Sequence, residues 1–400
     1  MKPSILFIVP ADYEELKEKG VEGMILERDE RGFFGKVITV HPVARRSRTL
    51  RLNECHEVHE IGFDLIAGAR KNRFLRCIQY PIHFFRVVRS VIMLLRSRHI
   101  SLIRANDPFW MGLYALVGSR ICGIPFCVSI HADYDRRMQL DRSISMTTVF
   151  GSYRLAKMLS RFVLTRAGLI FPIRESLREK LIADGARADR TKVIPHGIEL
   201  SFFKKTEKRA SRERFQIAEG KKIVSYVGRL SRENYIDDVL AIARRLAGVR
   251  DDFVVVVAGG GKEEARIQAL VAADAVLAKS VLLAGWQTRD VCLELRQDSD
   301  ASLCLMAGFS LIEACAAGRP VVSYDVEWHH ELVKNDESGF LIEEGSIEGV
   351  VDALRWIFDH PEAAASMGKK ARALAFDRHD LVKTSAIKVR WYSEILAKGI

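Results

Sequence analysis

Three stretches place side chains suited to chemistry on an anionic ligand. The first, KIVSYVGRLSRENYIDDVL (222–240), runs from a β-rich segment into Gly228-Arg229, a polar loop and an apolar-periodic helix. A glycine after a strand lets backbone N–H groups approach a ligand, and the following helix N-terminus favours an anion. Arg229 adds a planar, permanently charged fork that suits phosphate oxygens, although an ordinary strand–helix turn with a surface arginine reads the same way. The second stretch, AGGGKEEARIQAL (258–270), is another strand–glycine–helix junction. It is neither GxGxxG nor GxxxxGK[ST], so neither dinucleotide nor P-loop binding follows, and a tight turn serving close packing explains the glycines equally well. The third, ASLCLMAGFSLIEACAAGRPVVSYDVEWHHELV (301–333), ends a strand at Leu305, turns through Gly308, and sets Glu313 in a short apolar helix closed by Gly318-Arg319-Pro320. A carboxylate within LIEACAAG either caps local backbone donors or accepts hydrogen bonds from a ligand's hydroxyls.

Other constellations are weaker. Asp133-Tyr134-Asp135 and Asp298-Ser299-Asp300 each spell D-x-D, a short pattern common by chance. His329-His330 with Glu331 offers adjacent side chains that diverge, with no third ligand in view, so no metal is expected. The seven cysteines (55, 77, 122, 127, 292, 304, 315) are odd in number and never form C-x-x-C, which reads as reduced, mostly buried thiols.

Elements that could hold these motifs repeat along the chain. SILFIVP (4–10), VITVHP (37–42), SLIRAND (101–107), PFCVSIH (125–131), GLIFPI (168–173) and KVIPHG (192–197) read as short buried strands, with helical spacing at 82–98 and 152–166. KKTEKRAS (204–211) is polar and aperiodic, hence a linker. The pattern then restarts with strands at 222–228, 253–261, 280–285, 301–305 and 320–325, and helices near 233–248, 262–273, 288–297 and 309–317. Strands alternating with helices predict parallel sheets covered on both faces. The fold class is therefore α/β, with two consecutive units whose facing sheets are expected to form a cleft.

Composition agrees: 400 residues, 48% hydrophobic and 28% charged, which excludes collagenous, disordered and disulfide-stapled chains. No apolar run approaches the roughly 20 residues of a bilayer span. SILFIV leads into Asp12, Glu14 and Glu15 rather than a cleavage site, so a cytoplasmic chain is expected. The net charge of +11 is uneven. Residues 1–200 hold 33 Lys and Arg against 21 Asp and Glu; residues 201–400 hold 29 against 30. One half faces something anionic. The segment 82–100 reads as a basic amphipathic helix, with Arg86, Arg89 and Arg96 on one side and Phe85, Val88, Ile92 and Leu95 opposite. Such a helix either packs on the sheet with solvated arginines outside or also meets an anionic membrane surface. No nucleic-acid motif accompanies the charge.

VIPHGIELSFF (193–203), YVGRLSREN (226–234), the AGGG turn, GFSLIEACAAGRPVVSYD (308–325) and HELVKNDESGFLI (330–342) occur in an order and spacing that resembles the retaining nucleotide-sugar glycosyltransferases of family 4. The resemblance covers roughly 100–342 and implies two facing Rossmann-like domains, the GT-B architecture. It implies an N-terminal acceptor-binding domain over 1–203, a donor-binding domain over 204–375, and a C-terminal helix over 376–400 packing back towards the first. By the same resemblance Arg229 meets the donor diphosphate, Glu313 the ribose, Glu331 the phosphates and base, and the loop Gly308, Phe309 and Ser310 the sugar; Gly228, Arg232 and Leu311, beside these motifs, are further donor-binding candidates. His131 (in VSIHADYD) matches a histidine near the reacting sugar. The implied reaction moves a hexosyl group to a hydroxyl of a glycan or polyprenyl-linked acceptor in surface-polysaccharide or glycolipid assembly. The nucleotide sugar is then a substrate, with no cofactor.

Three departures stand out. Asn234, followed by Tyr235, replaces the lysine of the family's E-K-G, so one diphosphate cation is missing unless Arg232 or Lys262 reaches in. Leu305 falls where the family has its first glutamate, and Pro10-Ala11-Asp12-Tyr13 replaces a glycine pair. They keep open an inactive nucleotide-sugar-binding homologue and, by fold analogy, a nucleotide-sugar epimerase.

Overall fold

The computed structural model describes residues 2–18, 22–63, 73–135, 152–204, 210–306 and 308–398. Most of the predicted linker, 205–209, lies outside them, as do the side chains of Arg70, Lys71, Arg73 and Arg76. The chain forms two compact units, Met1–Pro195 with Thr384–Ile400, and His196–Lys383.

The first unit holds a seven-stranded sheet: β1 Ser4–Ile8, β2 Lys36–Ala44, β3 Arg48–Arg51, β4 His56–Gly62, β5 Leu102–Ala105, β6 Phe126–Ile130 and β7 Leu169–Pro172. Its order is β3-β4-β2-β1-β5-β6-β7, with only β3 antiparallel to its neighbour. β1, β5 and β6 are buried along their whole length, as strands covered on both faces must be. The segment predicted as a strand at 192–197 forms none: an isolated bridge joins Thr191, just before it, to Ile170, and Lys192 N and Ile194 N donate to Ile170 O and Pro172 O at 2.9 Å. From Thr384 on, the terminal helix Leu381–Lys398 belongs to this unit. Tyr392 is fully buried, its ring edge-on to Phe34 and Phe171 at 5.2 and 5.8 Å, and its hydroxyl pairs with the buried Arg104. Ser385 and Lys388 of the same helix bind the buried Glu30 at 2.9 and 3.0 Å.

The second unit holds β8 Lys222–Val227, β9 Phe253–Ala258, β10 Val281–Gly285, β11 Ala301–Leu303, β12 Val321–Tyr324 and β13 Phe340–Ile342. All pair in parallel, in the order β10-β9-β8-β11-β12-β13. The boundary falls at Pro195–His196 rather than at 203–204, because Leu200 and Phe203 are buried in the second unit's core beside Leu311 and Leu332. The tail that joins the first unit begins at Thr384 rather than 376, because Ala371 and Ala375 also pack in that core. The six described cysteines are free thiols.

The helix predicted from 82 begins at Arg73 and runs to Ser97. Val87, Val91 and Leu95 form its buried face, while Phe85 stands 69% exposed, on the opposite side from the apolar face expected for it.

Candidate active site

In a doubly wound sheet ligands collect beyond the carboxyl ends of the strands, at the point where strand order reverses. In the second unit that point lies between β8 and β11. Gly228, Arg229 and Arg232 follow β8, Gly308 to Glu313 follow β11, and Glu331 follows β12.

Backbone contact explains the glycine turn. Gly228 N donates to Ala258 O at 3.1 Å, Leu230 N to Gly260 O at 3.0 Å, and Glu263 N to Leu230 O at 3.2 Å. A Cβ on Gly259 (φ +149°) would lie 1.9 Å from Gly228 O, and one on Gly261 2.4 Å from Leu230 O. Two loops therefore touch main chain to main chain, which only glycine permits. The glycines serve loop-on-loop packing, and that packing fixes the peptide carrying Arg229. Its carbonyl accepts from Tyr226 Oη at 3.2 Å and Asn234 Nδ2 at 3.0 Å. Asn234 is thus a loop clamp in place of a cation. Tyr235 takes the left-handed conformation (φ 58°), its ring 5.1 Å from and perpendicular to that of Tyr324, its hydroxyl bonded to Glu344. The Arg229 side chain is exposed and makes no ion pair among the described residues. Arg232 lies 3.9 Å from Glu263, which also binds Arg266. Lys262 is exposed on the neighbouring turn.

Helix Phe309–Ala316 starts beside the end of β8. Ser310 Oγ donates to Val227 O at 2.6 Å, joining the two elements. The first N–H groups of any helix have no intrahelical acceptor, so those of Phe309 and Ser310 open towards the loop. Leu311 is fully buried, leaving only its backbone for a ligand. Leu305 is likewise a core residue, packed in the cluster of Val224, Val257 and Leu303. The ring of His196, from the VIPHG stretch, meets Phe309 edge-on at 4.9 Å.

Glu313, partly buried, faces two arginines of helix Arg289–Asp298, seven residues apart and hence on one face. Arg289 Nε lies 3.4 Å from its Oε1, and Arg296 Nε 3.9 Å from its Oε2. Arg296 is wholly buried, and its Nη2 donates to Ser310 Oγ at 2.5 Å. Its Nε and Nη1 have no hydrogen-bond acceptor among the described residues. Sequence reasoning missed both arginines; their spacing on a helix otherwise anchored by Leu293 was the available signal. It also missed Trp286, 75% exposed after β10 and adjoining Gly260.

Glu331 sits on the short helix His329–Leu332, its carbonyl accepting from Arg378 at 2.6 Å. His329 is fully buried, its Nδ1 2.6 Å from Ser323 Oγ, whereas His330 is exposed, 3.6 Å from Asp325. His131 lies in the first unit, exposed at the carboxyl end of β6. The D-x-D carboxylates are engaged within the fold. Asp133 and Asp135 bind Lys180 at 2.5 and 2.9 Å. Asp298 accepts from Ser211 N at 3.0 Å, and Asp300 from Ile223 N at 2.8 Å.

Residues 207–374 match the family model for glycosyl transferases group 1, and residues 15–197 that for the glycosyl transferase 4-like domain. A 2-deoxystreptamine glucosyltransferase of Streptomyces kanamyceticus is 23% identical over 308 residues, 74% of this chain and 77% of that protein. A D-inositol 3-phosphate glycosyltransferase of Mycobacterium avium is 31% identical over 202 residues, 48% of this chain and 46% of that protein. Among solved structures, HepE of Anabaena in complex with UDP has a TM-score of 0.72 at 17% identity, covering 98% of this chain and 100% of that one. Sucrose-phosphate synthase from Thermosynechococcus elongatus has a TM-score of 0.73 at 17% identity, covering 99% and 100%. With two parallel-sheet units of the GT-B kind and both family models matched in chain order, this chain belongs to the group 1, family 4 glycosyltransferases and is a hexosyltransferase-type enzyme.

Proposed function

We propose that the enzyme transfers a hexosyl group from a nucleoside-diphosphate sugar to a hydroxyl of a glycan or lipid-linked acceptor, with retention at the anomeric carbon, in surface-polysaccharide or glycolipid assembly. The observation that carries the reading is the convergence after β8 and β11 of an exposed arginine on a clamped loop, an open helix N-terminus and the Glu313 carboxylate. In this reading the second unit binds the donor. Arg229 and the N–H groups of Phe309 and Ser310 meet the diphosphate, where negative charge grows as the C1–O bond breaks. Glu313, held between Arg289 and Arg296, accepts from the ribose hydroxyls. Trp286 offers an exposed indole to the base. The acceptor oxygen bonds to C1 as its proton passes to the departing phosphate oxygen, so no protein nucleophile is needed. Arg229 and the helix terminus supply the positive charge on the leaving group without a resident metal. The basic first unit takes the acceptor, and His131 orients the transferred sugar. A solved relative in complex with UDP and glucose, and another relative named a poly(ribitol-phosphate) α-N-acetylglucosaminyltransferase, support a nucleotide donor and a glycan acceptor.

Arg229→Ala tests the reading. Removing one preorganised charge donor costs about 3 kcal/mol of transition-state stabilisation, so turnover with the active donor should fall at least a hundredfold. Unchanged turnover would remove Arg229 from the leaving-group site.

A further inference from the structure

The first turn of helix Phe309–Ala316 is held from two sides. On the β8 side Ser310 Oγ bonds Val227 O and Arg296. On the other, Gly308 supplies no side-chain cap, and a Cβ built on it would meet no atom within 4 Å. Phe309 is 36% exposed, and the one aromatic ring it meets among the described residues is that of His196, edge-on at 4.9 Å. A side chain that exposed keeps its rotamer freedom unless a neighbour removes it, and His196 is that neighbour.

The backbone that presents the imidazole is itself fixed. His196 is the first residue of the second unit, and within that unit its carbonyl accepts from His379 Nδ1 at 2.9 Å. Ile198 N donates to His379 O at 2.9 Å, and Leu381 N to Ile198 O at 3.0 Å, so segments 196–198 and 379–381 are strapped together. Leu200 then enters the core beside Leu311 and Ile312 of the helix. Arg289, which holds Glu313, also donates to Glu199 O at 3.2 Å. Segment 196–200 and helix Phe309–Ala316 therefore form one packed piece, with the His196 ring preorganised against Phe309.

Phe309 and Glu313 are four residues apart, hence on one face of the helix and about 6 Å apart along its axis. With Glu313 on the ribose, Phe309 lies one turn nearer the helix N-terminus, towards the far end of the diphosphate and the sugar beyond it. We propose that His196 is a positioning residue for the transferred sugar: it fixes Phe309, and Phe309 aligns the sugar with the bond that breaks. The inference rests on the donor-site reading above and assigns His196 no contact with the donor. Because Ser310 keeps its own anchors to Val227 and Arg296, the N–H groups aimed at the diphosphate stay in place without His196, and the nucleotide is held as before. The loss falls on the sugar alone. A contact that served only stability would not separate the two.

Calorimetric titration of the full chain tests it, with UDP, GDP and ADP beside UDP-glucose, UDP-N-acetylglucosamine, GDP-mannose and ADP-glucose. An edge-on aromatic pair is worth roughly two- to tenfold in an equilibrium. His196→Ala should therefore weaken the bound nucleotide sugar by about that factor and change the affinity of its parent nucleoside diphosphate by less than about twofold, which also reports an intact fold. His196→Phe keeps an edge-on ring and should restore the sugar's affinity. Phe309→Ala should reproduce the loss, and the double variant should add nothing to it, as required when one residue acts through the other. Equal losses for sugar and parent nucleotide in His196→Ala, no loss of either, failed rescue by His196→Phe, or additive losses in the double variant would overturn the inference and leave the donor site standing. A wild type that binds none of the nucleotide sugars would overturn the donor-site reading and this inference with it.

Discussion

Arg296 should contribute far more to function than to stability. Its guanidinium is fully buried with two nitrogens lacking acceptors, and an unsatisfied buried donor costs about 1–3 kcal/mol each. Arg296→Met removes that penalty, about 2–6 kcal/mol. It forfeits the charged hydrogen bond to Ser310, about 1.5–3 kcal/mol, and leaves a small void worth about 1 kcal/mol. Ser310 keeps Val227 O as its acceptor, and Glu313 keeps Arg289, so neither partner is left bare. Together these contributions leave a net change between a loss of about 2 and a gain of about 3.5 kcal/mol, as expected where an apolar residue replaces a buried charge. Ser310 and Glu313 nevertheless lose the group that holds both in place. Nucleotide affinity should weaken at least tenfold, with Arg296→Lys recovering part of it. Urea unfolding and calorimetric titration on the same samples measure the two effects. Unchanged nucleotide affinity, or a stability loss above about 4 kcal/mol, would refute the assignment of Arg296 as a positioning residue.

Two further outcomes follow from single contacts. Gly259→Ala puts a methyl 1.9 Å from Gly228 O and should displace the Arg229 loop, abolishing nucleotide binding, whereas Gly260→Ala meets the flexible end of Glu264 at 3.1 Å and Trp286 Cβ at an ordinary 4.0 Å and should bind normally; equal titrations would contradict the loop-on-loop packing. Asp107, buried under the start of helix Trp110–Cys122, is pushed up to about 7 by burial, against the pull of N–H groups from Phe109 and Met111. Its folded pKa lies above the unfolded value of 3.8, so its contribution is complete below about pH 4 and lost as pH rises through 7. Asp107→Asn keeps the accepting oxygen and should exceed wild type in stability by on the order of 4 kcal/mol at pH 8, with the difference closing near pH 4. Urea unfolding at the two pH values decides it, and no difference at pH 8 would reject the raised pKa of the buried Asp107.

The sheet cores were legible because strands buried on both faces read as continuous apolar runs; FVVVVA needs no partner to be recognised. The hairpin β3–β4 was not, because RTLR and HEVHEIG alternate polar and apolar residues, and Glu60 is buried through contacts from outside the strand pattern, its ion pair with Arg48 and a hydrogen bond from Tyr13 N at 2.7 Å. β13 is three half-buried residues, too short for any periodicity. The turn before a helix, with an arginine after its glycine, announced Arg229, and a lone acid in an apolar helix announced Glu313. The seven-residue spacing of Arg289 and Arg296 puts them on one helix face, but nothing local records that the chain brings that face back beside Glu313. For Phe85 the period was right and the face was not. Two faces of one helix were both apolar, and only packing shows which one the sheet covers.

The central claim is a nucleotide-sugar donor site beyond β8 and β11. Its most direct test is thermal unfolding of wild type and Glu313→Ala against a panel of nucleoside diphosphates and their sugars. A ligand at a hundred times its dissociation constant stabilises by about 2.7 kcal/mol, a shift of several degrees or less in a chain this size. The melting temperature of wild type should rise with one nucleotide family, and Glu313→Ala should lose that rise. An equal rise in both proteins, or none in wild type with any nucleotide, would contradict it.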